Sequence, residues 1–226
     1  MVKKILSEDV FVIIPARNES KRIGHVIRNL IEYTKNIIVV DDGSNDKTSE
    51  VSESAGAKVI KHIVNMGKGA AAKTGCDYAI KSGADILVLM DADGQHKPKD
   101  VIRLVAELKD KHLDIVLGAR KLNKNMPGIL KFGNMMLNKI TSIFHGIDVR
   151  DTQSGFRTFT KYAYQKIRWE SNDYSMESEM LSKIAKNNLK YAEIPIQTIY
   201  LDRYKGTTLL NGLKIGFETI MWGLKR

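Results

Sequence analysis

The chain reads as an α/β protein whose mostly parallel sheet is flanked by helices, and three observations lead there. Short branched-apolar runs, each bounded by Gly, Asn or Asp, recur along the first half of the sequence. Segments with helical apolar spacing lie between them. Acidic clusters stand directly behind two of the runs, Asp41-Asp42 after Ile37 to Val40 and Asp91-Ala92-Asp93 after Ile86 to Met90. Runs of this kind, with little polar alternation, are strands of a sheet covered on both faces. Strand and helix in strict alternation imply parallel pairing through right-handed crossovers.

Val10 to Ile14 is the first expected strand, followed by a helix capped by Ser20 with Ile23, Val26, Ile27, Leu30 and Ile31 on one face. Ile37 to Val40 is the second strand, Asp42 to Asp46 a turn, Thr48 to Ala55 a short helix and Lys58 to Ile60 the third strand. An alanine-rich helix over Gly67 to Lys81 precedes the strand Ile86 to Met90. Pro98 suits the first turn of a helix through Leu108, and Asp114 to Leu117 is a further strand. Beyond about residue 120 the alternation weakens. There we expect an amphipathic helix over Ile129 to Phe144, a strand over Phe156 to Phe159, a helix over Met176 to Asn187 and an edge strand over Tyr191 to Ile196. Pro195 assigns that strand to an edge because it has no N–H to give a ladder. A last amphipathic helix runs from about Leu209, with Leu213, Phe217, Ile220 and Leu224 on one face and Trp222 near the basic end. The reading is one domain over residues 1–206 and a C-terminal amphipathic helix over 207–226.

The chain has 226 residues, enough for one well-filled core. Its 36 Lys and Arg against 26 acids leave a formal net charge of +10, which favours an anionic partner. The single cysteine, Cys76, excludes an internal disulfide and fits a reducing compartment. No apolar stretch approaches the roughly 20 residues of a membrane span, and the N-terminus lacks a signal-like apolar region. The expectation is a soluble or peripheral protein. A nucleic-acid binder would interleave aromatic and basic residues on one face. Here the basic residues are scattered and the acids are focused, so no nucleic-acid partner is expected.

Ligands of open α/β sheets collect beyond the carboxyl ends of the strands. Carboxylates gathered there repel one another unless a cation neutralises them. Asp91 and Asp93 flank a small residue in such a turn, so both can reach one ion, with Gln95 as a further oxygen donor. Magnesium or manganese suits those donors together with phosphate oxygens. Asn65 to Gly69 (NMGKG) opens the alanine-rich helix, where backbone amides and Lys68 are suited to a phosphate. It lacks the spacing of a P-loop and the three glycines of a dinucleotide fingerprint, so neither an ATPase nor a nicotinamide enzyme is supported.

In order along the chain stand VIIPARNE (Val12 to Glu19), IVVDDGS (Ile38 to Ser44), NMGKG, DADGQH (Asp91 to His96), GAR (Gly118 to Arg120), DTQSGFR (Asp151 to Arg157), EIPI (Glu193 to Ile196) and RYKG (Arg203 to Gly206). Together they resemble the inverting family two glycosyltransferases of the GT-A fold, a Rossmann-like sheet. Within that family the likeness is to dolichyl-phosphate or polyprenyl-phosphate sugar synthases.

The resemblance implies a metal-dependent transfer of one sugar from a nucleotide-sugar to a polyprenyl or dolichyl phosphate, at the cytosolic membrane face. It implies a nucleotide pocket lined by Pro15, Arg17, Glu19, Asp42, Lys68 and Asp91, with Asp42 facing the base. Asp91, Asp93 and Gln95 would hold magnesium or manganese on the donor diphosphate. Arg120, Lys131 and Arg203 would meet the acceptor phosphate, and Glu179 would position an arginine or act as base. Arg17 stands where many relatives carry an aromatic residue, and Thr207 and Thr208 where they often carry Ser and Lys. Some relatives append transmembrane helices. In this chain, peripheral membrane contact would fall to the helices expected at Ile129 to Phe144 and Leu209 to Leu224. The alternatives are a different acceptor within the same fold and a different class of enzyme. Transfer to a sugar or protein hydroxyl would need a firmly held base, and a sugar-nucleotide pyrophosphorylase would need a glycine-rich N-terminal signature that is missing.

Overall fold

A computed structural model describes residues 6–120, 142, 146–152 and 154–197. The described strands are β1 (Val10–Ala16), β2 (Ile37–Asp41), β3 (Lys58–Lys61), β4 (Ile86–Leu89), β5 (Ile115–Arg120), β6 (Arg157–Thr160) and β7 (Tyr191–Ile196). The helices are α1 (Ile23–Leu30), α2 (Thr48–Ser54), α3 (Lys68–Lys81), α4 (Lys99–Asp110), α5 (Lys161–Ile167) and α6 (Met176–Lys186). All seven strands join one sheet in the order β3-β2-β1-β4-β6-β5-β7. Pairing is parallel except around β6, which runs antiparallel to both β4 and β5.

Every residue of β2 and β4 is buried, as a sheet covered on both sides requires. Successive side chains alternate between two apolar layers. Ile13, Ile38, Val40, Leu87 and Leu89 pack with α3, α5 and α6, while Val12, Ile14, Val39 and Val88 pack with α1 and α4. On α1, Ile23, Val26, Ile27 and Leu30 are buried on one face. Each such side chain stabilises the fold by about 1.5–3 kcal/mol relative to exposure. Gly75 lets α3 lie close to the sheet, since a Cβ there would come within 2.5 Å of Ile13.

Three local expectations need correction. Ser20 does not cap α1, which begins at Ile23 after Arg22. Instead the backbone of Asn18, Glu19 and Ser20 donates to Ser44, Thr48 and Asp46, so tertiary bonds to the turn after β2 replace the cap. The helix α5 was not expected, and Thr160 explains it by ending β6 and capping α5 through Ala163 N–H at 3.0 Å. The antiparallel β6 between β4 and β5 leaves no trace in the alternation, because four residues of the form Arg-Thr-Phe-Thr carry no direction. Pro195 does lie on the outer strand β7, exposed. The helices expected at Ile129 to Phe144 and beyond Leu209, and with them the 207–226 unit, lie outside the described residues, as do Lys131 and Arg203. No helix among the described residues is long and apolar enough to cross a membrane.

Candidate active site

The carboxyl ends of β2 and β4 flank that of β1, which brings the two acidic turns to one edge of the sheet. Their chemistry differs. Asp41 is fully buried, with one oxygen accepting Ser44 N–H at 2.9 Å and the other the Ser49 hydroxyl. Asp42 accepts from Met66 N–H, Gly67 N–H and His62 Nδ1, each at 2.8 Å. A carboxylate only accepts, so Nδ1 of His62 carries the proton, and its Nε2 faces the Thr74 hydroxyl at 3.1 Å. Asp42 therefore ties down the segment leading into α3. The sequence reading has Asp42 facing the nucleotide base; here its oxygens accept from the 62–67 segment.

Asp91 lies against a cation of the chain itself. Its Oδ1 is 2.7 Å from Lys68 Nζ and its Oδ2 3.2 Å from His96 Nε2. Burial pushes the Asp91 carboxyl up, but Lys68 and His96 outweigh it and hold it far below the usual carboxylate range. Asp93 is the opposite case. Burial and the negative charge of Asp91 raise its pKa, and only the Gln95 N–H, at 2.9 Å, works against them through a hydrogen bond. Among the described residues the second oxygen of Asp93 has no hydrogen-bond or ion-pair partner.

The glycine-rich start of α3 is occupied by protein. Gly69 and Ala70 donate to the Asn172 carbonyl at 2.8 and 3.3 Å, and a Cβ on Gly69 would come within 2.4 Å of the Ser171 oxygen. The glycines thus admit a crossing backbone. Lys68, expected on a phosphate, pairs with Asp91 and also with Glu177 Oε1 at 3.0 Å. Trp169, fully buried, donates to the Gly69 carbonyl at 2.8 Å and fixes the same crossing.

Glu179 anchors that crossing segment. Its two oxygens accept from Glu170 N–H, Ser171 N–H, the Ser171 hydroxyl and Lys183 Nζ, at 2.5 to 2.9 Å. Burial pushes its carboxyl up, but Lys183 and Ser171 overcome this and lower it, and the side chain is fully buried rather than on a helix surface. Arg120, at the end of β5, is held by Asp151 through Nε at 2.7 Å and Nη2 at 2.9 Å, a fork that sets its plane. Glu193 in turn accepts the Asp151 and Arg150 N–H groups. Arg157 is buried and donates to the carbonyls of Thr152, Ser154 and Glu177.

A family model matches residues 11–168, under the description Glycosyl transferase family 2, and so covers every motif from Pro15 through Arg157. The chain belongs to glycosyl transferase family 2. A UDP-N-acetylglucosamine–dolichyl-phosphate N-acetylglucosaminyltransferase of Methanococcus voltae is 37% identical over 94% of this chain and 95% of its own length. A polyprenol monophosphomannose synthase of Mycolicibacterium smegmatis is 25% identical over 97% and 88%. Among solved structures, a Mycobacterium tuberculosis glucosyl-3-phosphoglycerate synthase in complex with Mn2+, UDP-glucose and phosphoglyceric acid superposes with a TM-score of 0.73. At 21% identity over 96% of this chain and 78% of that one, it establishes the shared fold.

The carboxylates of this glycosyltransferase suit a divalent ion. Asp93 keeps an unpaired oxygen beside Asp91, and its raised pKa marks excess negative charge that a cation would relieve. The half-buried Gln95 follows in the same turn. Pro15, Arg17 and Glu19 follow one another at the end of β1, between the acidic turns; Arg17 is exposed and Glu19 pairs with Arg22 at 3.1 Å. Sequence reasoning passed over His62, His96, Asp151 and Glu177. His96 and Asp151 sit inside quoted motifs. Glu177 was signalled by two acids in the first turn of α6, of which only Glu179 was taken up.

Proposed function

We propose that this glycosyltransferase moves a single sugar from a nucleotide-sugar to a dolichyl or polyprenyl phosphate, with inversion and with a divalent metal. The carrying observation is full-length similarity to relatives named for transfer to lipid phosphates, two of which differ in sugar. A chemical argument and one feature of the site support it. An acceptor phosphate with a second pKa of about 6 is already largely ionised at neutral pH and needs little proton removal. Glu179, the carboxylate that a hydroxyl acceptor would need as base, already holds four donors.

In this reading Asp91 and Asp93, with Gln95, hold magnesium or manganese, which when bound stabilises charge developing on the leaving diphosphate. Pro15, Arg17 and Glu19 line the donor side. Asp42 and Glu179 work at one remove, through the 62–67 and 170–173 segments that shape the start of α3. Arg120, fixed by Asp151, meets the acceptor phosphate, with Lys131 and Arg203 as further cations. A bidentate guanidinium with a preset plane suits a phosphate better than a mobile ammonium does. In this reading the enzyme works peripherally at the cytosolic membrane face.

The test is incubation with magnesium or manganese, a short polyprenyl phosphate, and UDP-glucose, UDP-N-acetylglucosamine or GDP-mannose in turn. Mass spectrometry should find one lipid-linked sugar from one donor. Donor turnover with no lipid product would overturn the acceptor assignment.

A further inference from the structure

Behind Asp91 lies a buried charge group that binding and anchoring leave unused. Glu177, in the first turn of α6, is 2% exposed. Its Oε1 accepts from Lys68 Nζ at 3.0 Å, whereas its Oε2 has no hydrogen-bond partner. Lys68 Nζ is at the same time 2.7 Å from Asp91 Oδ1, and 5.5 Å from the centre of the Tyr174 ring. Arg157 reaches the Glu177 backbone carbonyl, not its carboxylate. A buried carboxylate oxygen without a donor is costly, so its persistence calls for a reason.

The ammonium has two places to stand. One is shared between Asp91 and Glu177. The other is on Glu177 alone, where the unused Oε2 can take a second N–H of a group that carries three. Gly155 borders the pair so closely that a Cβ there would fall 2.8 Å from Nζ and 2.7 Å from Asp91 Oδ2. Any side chain at that position would press on the pair.

We propose that Glu177 is a positioning residue that receives Lys68 when Asp91 engages a divalent cation. The inference rests on the metal of the proposed function. Both Asp91 oxygens are already engaged, by Lys68 and by His96. A divalent ion seated beside Asp93 therefore meets a like charge 2.7 Å from the oxygen it needs. Expelling the half-buried ammonium to water would leave the buried Glu177 carboxylate without its counter-ion. Transfer to Glu177 keeps the charge paired and opens Asp91. In this arrangement Lys68 competes for Asp91, and Glu177 weakens that competition.

The test is direct binding of Mn2+, read from the electron paramagnetic resonance of the free ion, with and without UDP. Glu177→Gln should weaken Mn2+ binding about tenfold, because the ammonium then has Asp91 as its only anionic partner. Lys68→Gln should tighten it by about threefold or more. The double variant Lys68→Gln/Glu177→Gln should recover the affinity lost in Glu177→Gln, which a purely structural loss would not allow. Thermal unfolding of each variant checks that the fold is kept, and the double variant leaves no unpaired buried charge at the site. Unchanged affinity in Glu177→Gln, or a double variant as weak as the single, overturns the proposal while leaving the metal reading intact. A wild-type protein that binds no Mn2+ even with UDP overturns both.

Discussion

The two acidic turns flanking β1 look alike in sequence and behave differently in the fold. After β2, both oxygens of Asp41 and of Asp42 accept hydrogen bonds, from backbone N–H groups, Ser49 and His62. After β4, Asp91 is held by the side chains of Lys68 and His96, and Asp93 keeps an open oxygen and a raised pKa. Neutralisation by donors of the chain makes a rigid corner. Incomplete neutralisation leaves a site with something still to bind.

The sharpest way to break this comparison is to remove one carboxylate from each turn. Asp93→Asn should lower transfer activity by about a thousandfold or more, the scale of losing one electrostatic contact to developing charge, with the protein still folded. Asp42→Asn should act on the fold. Its amide would face at least one of the N–H groups that the carboxylate now accepts, leaving buried donors unsatisfied at a cost of about 2–3 kcal/mol in urea unfolding. If Asp42→Asn is as stable as wild type but loses nucleotide binding, the two turns share a role and the distinction fails.

The same contrast shows how far a sequence reaches. The strand ends, and hence the edge where ligands collect, were legible because β2 is apolar up to Val40, β4 is apolar throughout, and each run leads into an acidic, glycine-containing turn. The motifs marked the right segments. What they could not tell is which partner each polar group finds. Lys68 lies 109 positions from Glu177, and the Gly69 N–H meets a carbonyl 103 positions later, at Asn172. Local rules for glycine-rich helix starts point to a phosphate there and carry no sign of the backbone that crosses it. Asp151 next to Arg120 was hidden for the same reason, since their pairing depends on β6 folding back between β4 and β5.

Gly69→Ala tests the crossing with a smaller effect. The added methyl would sit 2.4 Å from the Ser171 oxygen and 2.9 Å from the Asn172 carbonyl carbon, both backbone atoms that cannot rotate away. Overpacking of this kind should cost about 2 kcal/mol, and because Glu179 holds the same segment, Glu179→Gln should show non-additive loss with it in a double-mutant cycle. Additive losses would mean that Glu179 acts elsewhere than on this segment.

The smallest effect is also the most specific to the second turn. Burial and the charge of Asp91 raise the Asp93 pKa above its ordinary 3.8. The folded chain therefore holds that proton more tightly than the unfolded one. As pH rises from below 3.8 through the higher folded value, the unfolded state gives up its proton first and the fold loses stability, a loss that is complete at neutral pH. Asp93→Asn cannot ionise and escapes it. In metal-free buffer at pH 7 the variant should unfold at a higher temperature than wild type, and the gap should close on acidification to about pH 3.5. Added Mn2+ should then reverse the order, stabilising wild type by mass action and leaving the variant unmoved. A metal-free wild type that is the more stable of the two at pH 7 would mean that Asp93 is already satisfied within the protein, and the second turn would then be a corner like the first.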